Sequence, residues 1–304
     1  MSCSNEYPPG VPSKFSPSGD VQLFPGNTVV AHIPPTSPLL AVLYQLYASI
    51  SQQSTLRTKV ALLPPSSWHM TVIEGVTNAD CDPAKWPRGR CVAPVQDCTE
   101  EFADNLKDLN KSPVEDGLSP PYCARVVGLQ PLTTGIALRL EAASKDEDLH
   151  IRWLRERIAD EAVGFRMPDH DKYEFHVSIA YLLPYLGDAE KRALNTVLQE
   201  ILERFPQFLE FNLDYVEFCS FENVFAFDRA SLVADKTAVT SQEEKSKILE
   251  NSPARQMRPS VDAHRLRWIV KDIPMDAPID PDDPDWFMAI MVIEDATDND
   301  SSTV

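Results

Sequence analysis

Hydrophobic and polar positions change their period repeatedly between Asn27 and Phe227, and each change predicts an element. Asn27–Ile33 (NTVVAHI) has a β-branched centre and predicts a strand. Pro34-Pro35 ends it, and an apolar-periodic run from Leu39 to Ile50 predicts a helix. Ser37 is its expected N-cap and Pro38 its first residue. Thr58–Leu63 and Trp68–Glu74 predict two strands joined by Pro64-Pro65-Ser66-Ser67. Residues 77–97 lack a period and predict a loop. A helix is expected over Thr99–Leu109, capped by Thr99. Beyond a proline-containing break, Cys123–Leu129 and Thr134–Glu141 predict strands. Asp146–Val163 predicts a helix with Leu149, Trp153, Leu154 and Ile158 on its buried stripe. Tyr173–Leu183 predicts a strand, Asp188–Phe205 a helix, and Phe211–Phe218 with Val224–Phe227 a closing strand pair. The order reads β-α-β-β-α and then β-β-α-β-α-β-β, a weak internal duplication in which each half holds one histidine-bearing strand.

The pattern also sets the expected boundaries. Residues 1–20 are rich in Ser, Pro and Gly and predict a mobile arm. Residues 21–230 form the periodic domain, and 231–304 an acidic, largely disordered tail. Within the tail, Leu266–Val270 and Trp286–Ile293 are apolar enough to pair as strands or to bind something.

Charge sharpens this picture. The formal net charge is −18, and from Asp272 onward there are ten acids and no Lys or Arg. Such a chain is a poor non-specific binder of duplex DNA, because neutralising phosphates needs clustered cations. A small nucleotide or an RNA 3′-end is the better expectation. With 26 prolines against 10 glycines, neither GxGxxG nor GxxxxGK[ST] occurs, so the usual nucleotide-cofactor loops are missing. The six cysteines (Cys3, Cys81, Cys91, Cys98, Cys123 and Cys219) form no CxxC and match no zinc spacing. Reduced thiols are expected, although a disulfide among Cys81, Cys91 and Cys98 is compatible with the sequence. The first residues carry no basic and apolar leader, and the apolar runs are too short to span a bilayer. A cytoplasmic or nuclear monomer without membrane attachment is therefore expected.

The candidate chemistry lies in Trp68-His69-Met70-Thr71-Val72 and Phe175-His176-Val177-Ser178-Ile179. Both are His-x-Thr/Ser within an apolar strand. Side chains alternate along a strand, so each histidine shares a face with its hydroxyl partner, while Met70 and Val177 point into a core. Two such strands brought together would present two imidazoles and two hydroxyls to one cleft. Imidazole titrates near neutrality and can serve as general base or general acid. Hydroxyls can donate to nonbridging phosphate oxygens as charge shifts in a transition state. On spacing alone, two satisfied histidines on buried strand faces is an equal reading. Trp68 and Phe175 are expected to pack in the core. His170 is expected to be exposed in its charged turn, and His32, His150 and His264 to serve surface or packing roles. Arg125, Arg139, Arg166 and Lys172 are candidates for phosphate contact.

On these two motifs, and on the wider segments FPGNTVVAHIPP, LPPSSWHMTVIEGV and DHDKYEFHVSIAYLL, the chain resembles an uncharacterised branch of the 2H phosphoesterase superfamily. That superfamily includes LigT-like RNA ligases and cyclic nucleotide phosphodiesterases. The resemblance covers roughly residues 20–228. It implies an α+β fold of two pseudo-two-fold lobes, with antiparallel sheets lining a central cleft and helices outside. It implies His69 and His176 as catalytic residues, with Thr71 and Ser178 binding the phosphate, and no metal or organic cofactor. Tyr181 would also lie near the phosphate, which requires a local bulge, since strict alternation would turn it away from His176. Glu74 occupies the matching position after the first motif, and no role transfers to it. The implied reaction is hydrolysis of a cyclic phosphodiester, such as a nucleoside 2′,3′-cyclic phosphate or a cyclic-phosphate RNA end. Reversible 2′-5′ RNA ligation and non-catalytic binding of nucleotides or RNA ends are the alternatives. A protein partner for the acidic tail is a further expectation.

Overall fold

The alternating segments pair into one antiparallel sheet of nine strands. The structure, a computed structural model, describes residues 6–78, 87, 90–109 and 120–235. Its strands are β1 (Gly26–His32), β2 (Val60–Leu62), β3 (His69–Thr77), β4 (Tyr122–Leu129), β5 (Gly135–Ala142), β6 (His176–Leu182), β7 (Glu210–Leu213), β8 (Tyr215–Asn223) and β9 (Ala226–Asp235). The helices are α1 (Leu39–Gln52), α2 (Val95–Leu109), α3 (Lys145–Ile158) and α4 (Asp188–Leu202). Strand order is β7-β4-β5-β6-β3-β1-β8-β9, with β2 added beside β6. The fold is thus α+β, as expected, but the two lobes share a single curled sheet. Their seam is β3 against β6, the two histidine-bearing strands.

The seam is made by the residues between each histidine and its hydroxyl. Met70 pairs with Val177, and both are buried, at 1% and 0% exposure. Burying side chains of this size contributes about 1.5–3 kcal/mol each. Trp68 anchors the same layer, its ring edge-on to Tyr44 and Tyr47 of α1 at centroid distances of 5.1 and 5.9 Å. α1 packs beside α4, and α2 packs beside the turn that follows α3.

Local signals mark the starts of α1 and α3. Ser37 Oγ accepts from Leu39 N at 3.3 Å, and Ser144 Oγ accepts from Glu147 N at 3.2 Å. Asp146, Glu147 and Asp148 fill the first turn of α3, where carboxylates suit the helix dipole.

Several expectations are corrected. α2 starts at Val95, and Thr99 lies inside it, donating back to Val95 O at 2.8 Å and accepting from Asn27 Nδ2 at 2.9 Å. On α3, Leu149 and Trp153 are exposed (67% and 54%), and the buried stripe is Ile151, Leu154, Arg155 and Ile158. An arginine holds a core position there because carbonyls satisfy its guanidinium. The amino-terminal segment is not a loose arm over its described part. Phe15 is fully buried and packs with Val11, Leu183 and Val224. The last strand runs to Asp235, beyond the boundary expected at 230. Tail expectations, including Leu266–Val270, Trp286–Ile293 and His264, lie outside the described residues. Among the described residues no helix is long and apolar enough to cross a membrane, and Cys91, Cys98, Cys123 and Cys219 are free thiols.

Candidate active site

Extending the Met70–Val177 register by one residue each way sets His69 opposite Ser178 and Thr71 opposite His176. The four side chains form a two-by-two array on one face, and all four line a cleft of about 460 Å³. That volume suits a nucleotide-sized ligand.

Both imidazoles are oriented in the same way. His69 Nδ1 lies 2.7 Å from Ser67 O, and His176 Nδ1 lies 2.9 Å from Glu174 O. A carbonyl only accepts, so Nδ1 carries the proton in each ring, and Nε2 is left for the cleft. In each case the carbonyl belongs to the residue two before the histidine. The repeat is therefore one of geometry as well as of sequence.

The two histidines differ in surroundings. His69 sits edge-on to Phe227 at a centroid distance of 4.4 Å and to His32 at 6.0 Å. Burial, and then the nearby imidazole of His32, push its pKa down to about 3, with His176 and Lys14 adding to the effect. The bond to Ser67 O opposes it. His69 is thus neutral at physiological pH. Thr71 is hydrogen-bonded to Tyr173, whose hydroxyl pKa burial raises, with Glu74 adding to the rise.

A bulge follows each motif at the same offset. Against β1, Val29 faces Ile73 and Val30 faces Thr71, so Val72 is the extra residue. Against β5, Ile136 faces Ala180 and Ala137 faces Ser178, so Ile179 is extra. Each bulge lies three residues after its histidine and turns two successive residues into the core: Val72 and Ile73, and Ile179 and Ala180. Glu74 and Tyr181 are thereby returned to the cleft face, and both line the cleft. The bulge that Tyr181 required is present.

Sequence reasoning missed three contributors. Lys14, from the amino-terminal segment, lines the cleft and donates to Tyr181 Oη at 2.9 Å. Its serine-, proline- and glycine-rich surroundings masked it. Arg155 donates to Val72 O and, at 2.9 Å, to His170 O, tying β3 to the turn before β6. Its place on the buried stripe of α3 was the available signal. His32 is no simple packing residue: its Nδ1 lies 2.7 Å from Glu217 Oε2, and Arg229 pairs with the same carboxylate.

Other candidates fall away from the reacting centre. His170 is buried rather than exposed and bonds Glu156 at 2.9 Å. Arg125 pairs with Glu141, and Arg166 with Glu156 and Asp160. Lys172 is exposed on a short turn. Arg139 is the register partner of His176 but is not part of the cleft lining. Phe175 is core, and His150 packs on Tyr122 at 4.8 Å. Two clusters bring three metal-type donors within 4.8 Å of one another: His32, Glu217 and Cys219, and Glu156, His170 and Asp171. In both, the imidazole and the carboxylate already bond each other and an arginine pairs with the carboxylate, which makes them ion-pair networks.

Residues 14–117 match a family model described as 2H-phosphodiest, a domain of unknown function (DUF1868). The matched segment contains the first motif. No curated protein matches the chain. A crystal structure of a conserved protein of unknown function from Agrobacterium tumefaciens is 25% identical, covering 77% of this chain and 96% of its own, with a TM-score of 0.63. A Thermus thermophilus protein is 15% identical over 68% of this chain and 98% of its own, with a TM-score of 0.36.

Proposed function

We propose that the chain, whose residues 14–117 match the 2H-phosphodiest family model, acts as a 2H phosphoesterase and hydrolyses a cyclic phosphodiester of a nucleotide or of an RNA 3′-end by paired histidine acid–base catalysis. The observation that carries the reading is the Met70–Val177 register. It supports the reading by putting both imidazoles and both hydroxyls on one face of the sheet, along one cleft, with each imidazole tautomer held by a backbone carbonyl.

The roles follow from the surroundings. His69, neutral because burial opposes its charge, takes a proton from water at Nε2. The water oxygen forms the new P–O bond. His176 enters the step as the acid and gives a proton from Nε2 to the ribose oxygen as the ring P–O bond breaks. The product is a phosphomonoester, and both histidines have exchanged protonation state. Thr71 and Ser178 donate to the nonbridging oxygens, and Tyr173 orients Thr71. The step asks for no metal, because imidazole and hydroxyl groups supply every proton transfer and hydrogen bond that it needs.

The test is hydrolysis of a panel of nucleoside 2′,3′-cyclic phosphates and short cyclic-phosphate RNAs in EDTA, with wild type, His69→Ala and His176→Ala. The expected result is EDTA-resistant turnover that falls by roughly 10²-fold or more in either variant. Turnover abolished by EDTA, or undiminished in both variants, would sink the mechanism. The residue division of the chain is proposed alongside it: the catalytic domain is complete before the acidic tail, and the tail serves a partner rather than the reaction.

A further inference from the structure

The cleft is polarised along its length. The two bulges place Tyr181 beyond the His69–Ser178 end of the array and Glu74 beyond the Thr71–His176 end. Lys14 joins Tyr181 at the first end, so a cation marks one wing and a carboxylate the other.

Lys14 is a placed residue. Its backbone N–H donates to Gly10 O at 2.8 Å, and its carbonyl accepts from Gln22 N at 2.8 Å. The next residue, Phe15, is fully buried, its ring centre 5.5 Å from that of Tyr181. The ammonium lies 4.9 Å from the Tyr181 ring centre and 5.3 Å from that of Phe24. It donates to Tyr181 Oη, which engages one of its three donors. Among the described residues no carboxylate pairs with it, whereas Arg90, Arg125, Arg166 and Arg229 each have one. An ammonium on an aromatic seat, facing a cleft, with donors to spare and no paired acid, is built for an anion of the ligand.

That anion is distinct from the reacting phosphoryl group, so Tyr181 moves from the reacting phosphate, where the resemblance put it, to a second one. Tyr181 stands three residues past Ser178, roughly 7–10 Å along a bulged strand. The separation is comparable with that between the two phosphates at opposite ends of one nucleoside. Glu74 repels phosphate at the other wing, so a doubly phosphorylated ligand has one favourable orientation. We propose that Lys14 and Tyr181 form a subsite for a second phosphate, making the substrate a nucleotide that carries a phosphate besides the cyclic one. The proposal rests on the cyclic-phosphodiester reading above.

Calorimetric titration with adenosine 3′,5′-bisphosphate and adenosine 3′-monophosphate tests it in wild type, Lys14→Met and Lys14→Arg. Methionine keeps an unbranched stem over the two rings, and thermal melting checks that each variant is folded. Wild type is expected to bind the bisphosphate at least tenfold more tightly. Lys14→Met should lose that preference and Lys14→Arg should keep most of it. A wild-type ratio near one, an unchanged ratio in Lys14→Met, or equal losses on both ligands would overturn the subsite. Equal losses would mean that Lys14 only props Tyr181. Binding needs no turnover, so failure to hydrolyse cyclic phosphates counts against the reaction alone.

Discussion

At the scale of single residues, His69 shows how one imidazole is made to differ from its near-twin. Both rings donate Nδ1–H to a carbonyl two residues back. Only His69 is enclosed by Phe227 and His32, and its pKa falls to about 3. Folding therefore keeps His69 unprotonated over a range in which the unfolded chain takes up a proton. Its contribution to stability is present above the unfolded value near 6.5 and is lost as pH falls toward 3, by up to about 1.4 kcal/mol per pH unit. Urea unfolding between pH 7 and pH 4 should show this as a slope that is shallower in His69→Gln than in wild type. Equal slopes would mean that the ring is not desolvated as described. No motif reveals this asymmetry, because Phe227 and His32 reach His69 from β9 and β1.

Among elements, register decides what each motif can do. The period of two places histidine and hydroxyl on one face of a strand, and that much is legible in His69-Met70-Thr71 and His176-Val177-Ser178. Which strand lies beside which is not local information. Met70 and Val177 meet across the seam, so Met70→Ala leaves a cavity at the point that aligns the array. It should cost about 2–5 kcal/mol in chemical unfolding and lower kcat beyond the effect of an equally destabilising core substitution far from the seam, such as Leu43→Ala. Equal effects on kcat would deny the seam its aligning role. The bulge at Val72 was likewise hidden, and the one at Ile179 was expected only from the resemblance, since adjacent hydrophobic residues look alike whether or not one of them is unpaired. Gly10 shows the same limit. Its φ of +100° favours glycine, and a Cβ there would come within 3.1 Å of the Tyr181 ring. Gly10→Val should therefore destabilise by about 1–3 kcal/mol and weaken the Lys14–Tyr181 contact, measurable as a drop in melting temperature together with a reduced bisphosphate preference.

For the whole molecule, residues 1–239 form one compact unit, and every residue that lines the cleft comes from it. A chain ended at Val239 should keep the turnover of the full protein within about twofold and its melting temperature within about 2–4 °C, the shift that 1 kcal/mol gives at this size. A tenfold loss of turnover would assign the acidic residues beyond it a part in the reaction. Patterning alone was enough for the mixed helix and strand class, most of the order of elements and the duplicated histidine strands, although the expected closing pair is three strands because Phe211–Phe218 divides between β7 and β8. These depend on backbone period and residue chemistry, which are local. The single continuous sheet, the paired bulges that return Glu74 and Tyr181 to the cleft, the burial of Phe15 and the arrival of Lys14 belong to the tertiary structure. They depend on contacts between distant segments, such as that of Lys14 with Tyr181, 167 residues on, and such contacts leave no period in the chain because each is made once, by packing.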